Sequence, residues 1–315
     1  MLQQNTNVSA LKRHLMYNKG KTKLTLANSI WIDESYTAKE SYLQGIVDYF
    51  DAEIYGGALS TEQTKNAINQ WTSDKTEGLI PELLKKSLEP GSNFALINTL
   101  YLNAQWESCF SANDTHEKTF YKEDNTEVRA EFLCACRETL DYIKTSTAEG
   151  IVLPYDDSKT IFLALRPTNG TPIKDFAAAL DATSVKRYIS KAQRTLLDFH
   201  MPKFEHYHSM ELKNVLINMG LADAFDEAKA NFRNMYEWQG YNVYIDLVQQ
   251  DVKIKVMEKG TEAAAATIII ERPEGATPYE EIPVSFDLDS PYVYVVMDLA
   301  TQAPLFVGVM EDPTL

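Results

Sequence analysis

The sequence predicts an α+β fold, and three stretches carry that prediction. Phe94-Ala95-Leu96-Ile97-Asn98-Thr99-Leu100-Tyr101-Leu102 is apolar except at Asn98 and Thr99, the pattern of a central strand covered on both faces. Leu24-Thr25-Leu26-Ala27-Asn28-Ser29-Ile30-Trp31-Ile32 reads as a second strand. Between Ala38 and Phe50, Tyr42, Ile46, Val47 and Phe50 recur at three-to-four spacing, as on one side of a helix. With 315 residues, 44% hydrophobic and 11% aromatic, the chain can bury a sizeable core as one large or two ordinary domains.

The remaining elements follow in order. After the helix, Ala52-Glu53-Ile54-Tyr55 reads as a short strand broken by Gly56-Gly57. Ser60 with Gln63 forms a capping box for a helix through Ile68 and Trp71, and Gly78 stands where a C-terminal stop is expected. Asn98, inside a buried strand, requires a hydrogen-bonding partner. Leu153-Pro154-Tyr155 and Phe162-Leu163-Ala164-Leu165 read as a turn and a strand.

Composition excludes several functions. A formal charge of −15 argues against a nucleic-acid partner, because phosphate binding needs clustered Lys and Arg. The basic group Lys12, Arg13, His14, Lys19, Lys21 and Lys23 reads as a solvated helix end. Cys109, Cys134 and Cys136 are an odd count and give no disulfide framework; they read as buried thiols or strand residues. The two-residue spacing of Cys134 and Cys136 would strain a direct bridge and lacks the second pair of a zinc site. His206 and His208 would share a strand face with His200 nearby in sequence, but no clear carboxylate or Cys ligand completes a site, so no metal is expected. No apolar run reaches membrane-spanning length, and residues 1–7 are too polar for a signal peptide. Nucleophile elbow, phosphate loop, dinucleotide fingerprint and zinc-protease helix are all absent, so no enzyme activity and no cofactor are expected.

The most informative stretch is Val256-Met257-Glu258-Lys259-Gly260-Thr261-Glu262-Ala263-Ala264-Ala265-Ala266-Thr267. An Ala run alone favours helix, whereas Gly260 and Thr261 before it and Thr267, Ile268, Ile269 and Ile270 after it favour an extended state. As a strand it would present small side chains on both faces, which suits entry into an already packed sheet. Composition alone leaves an Ala-rich linker equally open.

The segment Glu258-x-Gly260-Thr261-Glu262-Ala263-Ala264-Ala265-Ala266-Thr267 resembles the reactive-centre-loop hinge of inhibitory serpins nearly residue for residue. The resemblance extends along the chain. Ile68-Asn69-x-Trp71 with Thr76, Gly78 and Ile80 is similar to the serpin helix lying across the main sheet, and Phe199-His200-Met201-Pro202-Lys203-Phe204 to a serpin strand. Phe286, Asp289, Pro291, Tyr292 and Tyr294, followed by Leu305-Phe306-x-Gly308 and Pro313, match the C-terminal signature.

The resemblance implies a single domain over 1–315, without the family's first helices. Its fold would have a large central, mostly antiparallel sheet, two further sheets, surrounding helices and an exposed reactive loop at about 258–283. It places Asn98 at the shutter and Trp106 at the breach, where the loop first enters the sheet, and puts Gln250 at the shutter histidine position. Gln250 can hydrogen-bond there but cannot titrate near neutral pH. The implied activity is serine protease inhibition as a suicide substrate: loop cleavage, acyl-enzyme trapping and loop insertion. The implied reactive bond is Glu274–Gly275, within 270–278, and Glu274 suits an elastase-like or glutamate-selective serine protease. The partner is then a protease and neither nucleic acid nor membrane; the chain is a monomer, and the family favours an extracellular location. The alternative is a truncated or non-inhibitory serpin-like protein, cleaved as a substrate or acting as a binding or chaperone module.

Overall fold

A computed structural model describes residues 2–16, 21–237, 243–245, 247–261 and 282–315. The chain runs through helix α1 (Leu2–Leu15), strand β1 (Lys23–Asp33), α2 (Glu40–Phe50), β2 (Ala52–Gly57), α3 (Glu62–Lys75) and β3 (Phe94–Gln105). Strands β4 (His116–Tyr121), β5 (Glu127–Lys144), β6 (Ala148–Pro154) and β7 (Thr160–Pro167) follow, then helices α4 (Ile173–Ala178) and α5 (Ala182–Ile189). After β8 (Gln193–Pro202), β9 (Phe204–Glu211) and the short α6 (Lys213–Leu216) come β10 (Leu247–Met257) and β11 (Gly260–Thr261). The chain closes with β12 (Val284–Asp287), β13 (Tyr292–Asp298) and β14 (Pro304–Met310). No helix among the described residues is long and apolar enough to cross a membrane.

Two compact units emerge. The first contains Leu24–Tyr101 and His206–Lys253 together with α1. In it β1 and β2 pair in parallel, with Asn28 opposite Ala52, and β3 pairs in parallel with β10, from Ala95 opposite Leu247 to Thr99 opposite Asp251. One side of this sheet is sealed by Trp31, Ile68, Trp71, Leu83, Leu84, Ala95 and Ile97. Helix α3 supplies Ile68 and Trp71 because the two lie three residues apart, on one face. The α3 cap sits one residue later than Ser60: Thr61 is the N-cap and accepts from the Thr64 amide at 3.2 Å. Gly78 provides the stop, with a φ of 83° and an amide donating to Ser73 O at 2.8 Å. Of the basic group, Lys12, Arg13 and His14 form the last turn of α1 and Lys23 opens β1; the Lys12 side chain is only 13% exposed and reaches Asp51 at 3.1 Å.

The second unit contains Leu102–Glu205 and Ile254–Leu315. Its strands hydrogen-bond in the order β12-β8-β5-β6-β7-β13-β14, with β4 also on β5. The two further sheets anticipated from the sequence join here through the 18-residue β5, which pairs with β4 over Glu127–Phe132, with β8 over Phe132–Tyr142 and with β6 over Asp141–Lys144. Leu163, Leu165, Val293, Val295 and Met297 pack with Ile173, Phe176 and Tyr188 of α4 and α5 into the core.

One sequence expectation is corrected in this unit. Cys134 and Cys136 are joined by a disulfide. The β5–β8 register shifts between Cys136 and Glu138, where Arg137 takes a φ of 57°, and the Cα atoms stand 5.6 Å apart, within the range a disulfide accepts. His200, read with His206 and His208, lies opposite Cys134 across β8 and β5, and its Nδ1 is 2.7 Å from Asp287 Oδ1.

Candidate functional site

In the second unit, the segment after β10 adds a further strand to a local ladder. β10 turns at Glu258-Lys259 into β11, placing Val256 opposite Thr261 and Met257 opposite Gly260. On its other edge β11 pairs antiparallel with β3, Gly260 opposite Gln105 and Thr261 opposite Ala104. Only glycine fits at 260: a Cβ there would lie 1.9 Å from Ala104 O and 2.7 Å from Gln105 Cα. Thr261 is 1% exposed, and its Oγ1 shares a 2.5 Å hydrogen bond with the Tyr155 hydroxyl. Complete burial drives the Tyr155 phenol well above its ordinary range, so it stays neutral.

Trp106 holds the turn from beneath. Its Nε1 donates to Met257 O at 2.9 Å and its amide to Lys259 O at 2.8 Å. The indole stacks on Tyr155, with centroids 4.6 Å apart, and meets Phe110 and Phe162 edge-on. Glu258 is clasped by Lys203 at 3.0 Å and accepts from Thr115 Oγ1 at 3.1 Å. Burial pushes the Glu258 carboxyl up, but its own backbone amide, the Lys203 ammonium and the Thr115 hydroxyl together outweigh that and hold it below its usual range. Burial likewise lowers Lys203, and Glu258 with Glu131 more than reverses it, so the lysine is raised.

In the first unit, Asn98 and Gln250 are cross-strand neighbours on β3 and β10. Asn98 Nδ2 donates to Asn28 Oδ1 at 2.8 Å, supplying the partner its burial demanded. The next rung sets Thr99 opposite Asp251, which is fully buried and accepts from the Tyr207 hydroxyl, from Ser209 Oγ at 3.0 Å and from Gln249 Nε2 at 2.8 Å. Thr99 Oγ1 is buried without a hydrogen-bond partner among the described residues.

The profile of the serpin (serine protease inhibitor) family matches residues 2–313. The chain belongs to the serpin family. It is 29% identical over 296 residues to an uncharacterized serpin-like protein of Methanosarcina acetivorans, covering 92% of this chain and 68% of that one. Identity to plasminogen activator inhibitor 1 of Neovison vison is 27% over 311 residues, 96% of this chain and 76% of the relative. The native state of the thermophilic serpin tengpin superposes with a TM-score of 0.88 at 28% identity, covering 99% of this chain and 79% of tengpin. The latent state of tengpin gives 0.80 at 27% identity, with 98% and 80% covered. The family's inhibitory role and its capacity for conformational change thus frame this serpin.

Of the residues singled out in the sequence of this serpin, Glu258, Gly260, Thr261 and Trp106 meet in one cluster around the β10–β11 turn, and Asn98 and Gln250 meet across β3 and β10. Glu262, Ala263, Ala264, Ala265, Ala266 and Thr267, with Glu274 and Gly275, lie outside the described residues. Sequence reasoning missed Tyr155, Lys203, Thr115 and Asp251. Lys203 and Tyr155 sit inside motifs already singled out, so the signal was present without a role attached. Nothing in sequence marks Asp251, because its partners come from β9 and from the same strand.

Proposed function

We propose that this serpin inhibits serine proteases as a suicide substrate, with Glu274–Gly275 as the reactive bond. The observation that carries the reading is β11: Gly260 and Thr261 are seated between β3 and β10, antiparallel to both, while Ala95–Thr99 and Leu247–Asp251 still pair directly. A strand continuing from Thr261 in that direction would replace one parallel ladder with two antiparallel ones, which are somewhat stronger per residue.

The protease serine Oγ attacks the Glu274 carbonyl carbon, and the C–N bond to Gly275 breaks. The new amine leaves with a proton from the protease histidine, and the Glu274 acyl group remains esterified. The freed segment then enters beside Thr261 before water reaches the ester. Roughly a dozen residues gaining ladder hydrogen bonds at about 0.5–1.5 kcal/mol each supply on the order of ten kcal/mol to distort the enzyme. A glutamate at the reactive bond favours an elastase-like or glutamate-selective target over a trypsin-like one.

Incubation with proteases of these three classes tests the reading on a denaturing gel. A covalent complex with an elastase-like or glutamate-selective enzyme is expected. Clean loop cleavage with no complex from any of them would overturn it.

A further inference from the structure

The disulfide pair and His200 form a cluster the inhibitory mechanism does not use. The sulfurs of Cys134 and Cys136 and one ring nitrogen of His200 all lie within 4.8 Å of one another. The fold builds this in two steps. Residues two apart on a strand face the same side, which puts Cys134 and Cys136 together on β5, and the β5–β8 register sets His200 directly opposite Cys134. Cys134 is buried, while Cys136 and His200 are half-buried, so a small ion can reach the cluster.

We propose that, once its disulfide is reduced, this cluster is a Zn2+ site with Cys134, Cys136 and His200 as ligands and water in the fourth position. Tetrahedral zinc with Zn–S bonds of about 2.3 Å holds two sulfurs about 3.8 Å apart, within the 4.8 Å that spans the cluster. A two-thiolate, one-imidazole set suits zinc over hard cations such as Mg2+ or Ca2+. Asp287 holds Nδ1 at 2.7 Å, so Nε2 is the ring nitrogen left for the metal, and Lys118 at 2.6 Å fixes Asp287 in turn. Neither the spacing of the cysteines nor that of the histidines reveals the set, because it forms across two strands.

The site is gated by oxidation state. A dithiol reductant gives up two electrons and becomes a disulfide, the Cys134–Cys136 bond opens, and two protons pass to its sulfurs. Zn2+ then displaces those protons to solvent as the thiolates bind. In the oxidised chain both sulfurs are occupied with each other and no site exists.

The test uses the full chain, reduced and then freed of reductant. Titration against a chromophoric chelator should show one Zn2+ per chain, and Co2+ should give thiolate-to-metal charge-transfer absorption. Cys134→Ser and Cys136→Ser should abolish both signals, Cys109→Ser should keep them, and Asp287→Asn should weaken affinity by at least about tenfold. Independently of any variant's folding, alkylation of the wild type should label all three cysteines without zinc and Cys109 alone with it. Binding that survives oxidation, binding lost only in Cys109→Ser, or three labelled cysteines in excess Zn2+ would each overturn the proposal.

Discussion

Replacing Thr261 with arginine attacks the hinge at its most enclosed point. The side chain is 1% exposed, and its hydroxyl is the hydrogen-bond partner of the fully buried Tyr155 hydroxyl. Arginine strands that phenol, at about 1–3 kcal/mol. Its guanidinium must also leave water, at several kcal/mol, and its ladder neighbours Val256 and Ala104 offer no charge to receive it. The strand therefore leaves the sheet, and every later attempt at insertion meets the same penalty first. If about 2 kcal/mol of it is felt in the insertion transition state, insertion slows about 30-fold relative to deacylation. Stoichiometry of inhibition, measured by titrating an elastase-like protease to zero residual activity, then rises from near one to on the order of ten or more. Cleaved monomer replaces covalent complex on the gel, while Thr261→Ser, which keeps the hydroxyl, behaves as wild type. An unchanged stoichiometry in Thr261→Arg would refute the reasoning.

Gly260→Ala puts a methyl against backbone atoms that cannot yield, so β11 detaches and amide exchange at Ala104–Gln105 and Gly260–Thr261 accelerates; unchanged protection would contradict the described ladder. The Glu258–Lys203 clasp gives a pH signature of known sign. The Glu258 carboxyl is depressed, so its stabilisation is present above 4.5 and is lost as pH falls through the lower folded value. Lys203 is raised, so its share holds below 10.5 and is lost as pH climbs past the higher folded value. Melting temperature followed against pH should show Glu258→Gln losing its deficit relative to wild type in acid; a gap that persists there sinks the assignment. Trp106→Phe removes the donor to Met257 O and part of the aromatic stack, and should lower unfolding free energy by about 1–3 kcal/mol in denaturant titration, with no change as the contrary result.

The long periodic elements were legible before any coordinates. The apolar run from Phe94 becomes β3, the Ala38–Phe50 periodicity becomes α2, and the run from Leu24 becomes β1, each within a few residues, because burial on one or two faces writes itself into spacing. The α3 cap slipped by one residue because Ser60 and Thr61 are both competent caps and only the backbone decides between them. The hinge motif was readable as sequence, yet the groups that seat it were not. Tyr155 and Lys203 reach Thr261 and Glu258 from elements more than fifty residues away, and no local pattern records such a meeting. The two-residue spacing of Cys134 and Cys136 reads as strained for a bridge, but same-face strand residues lie near the upper end of the Cα range a disulfide accepts, and here the separation closes to 5.6 Å.

The central claim is that insertion of the loop beside Thr261 releases free energy the uncut chain retains. Thermal unfolding measured before and after a cut within 262–281, by a protease the chain does not trap, addresses it directly. A gain on the order of ten kcal/mol predicts a melting temperature higher by about 15 °C after cleavage. A melting temperature that stays the same or falls would mean that the cut segment does not enter between β3 and β10, and would contradict the account.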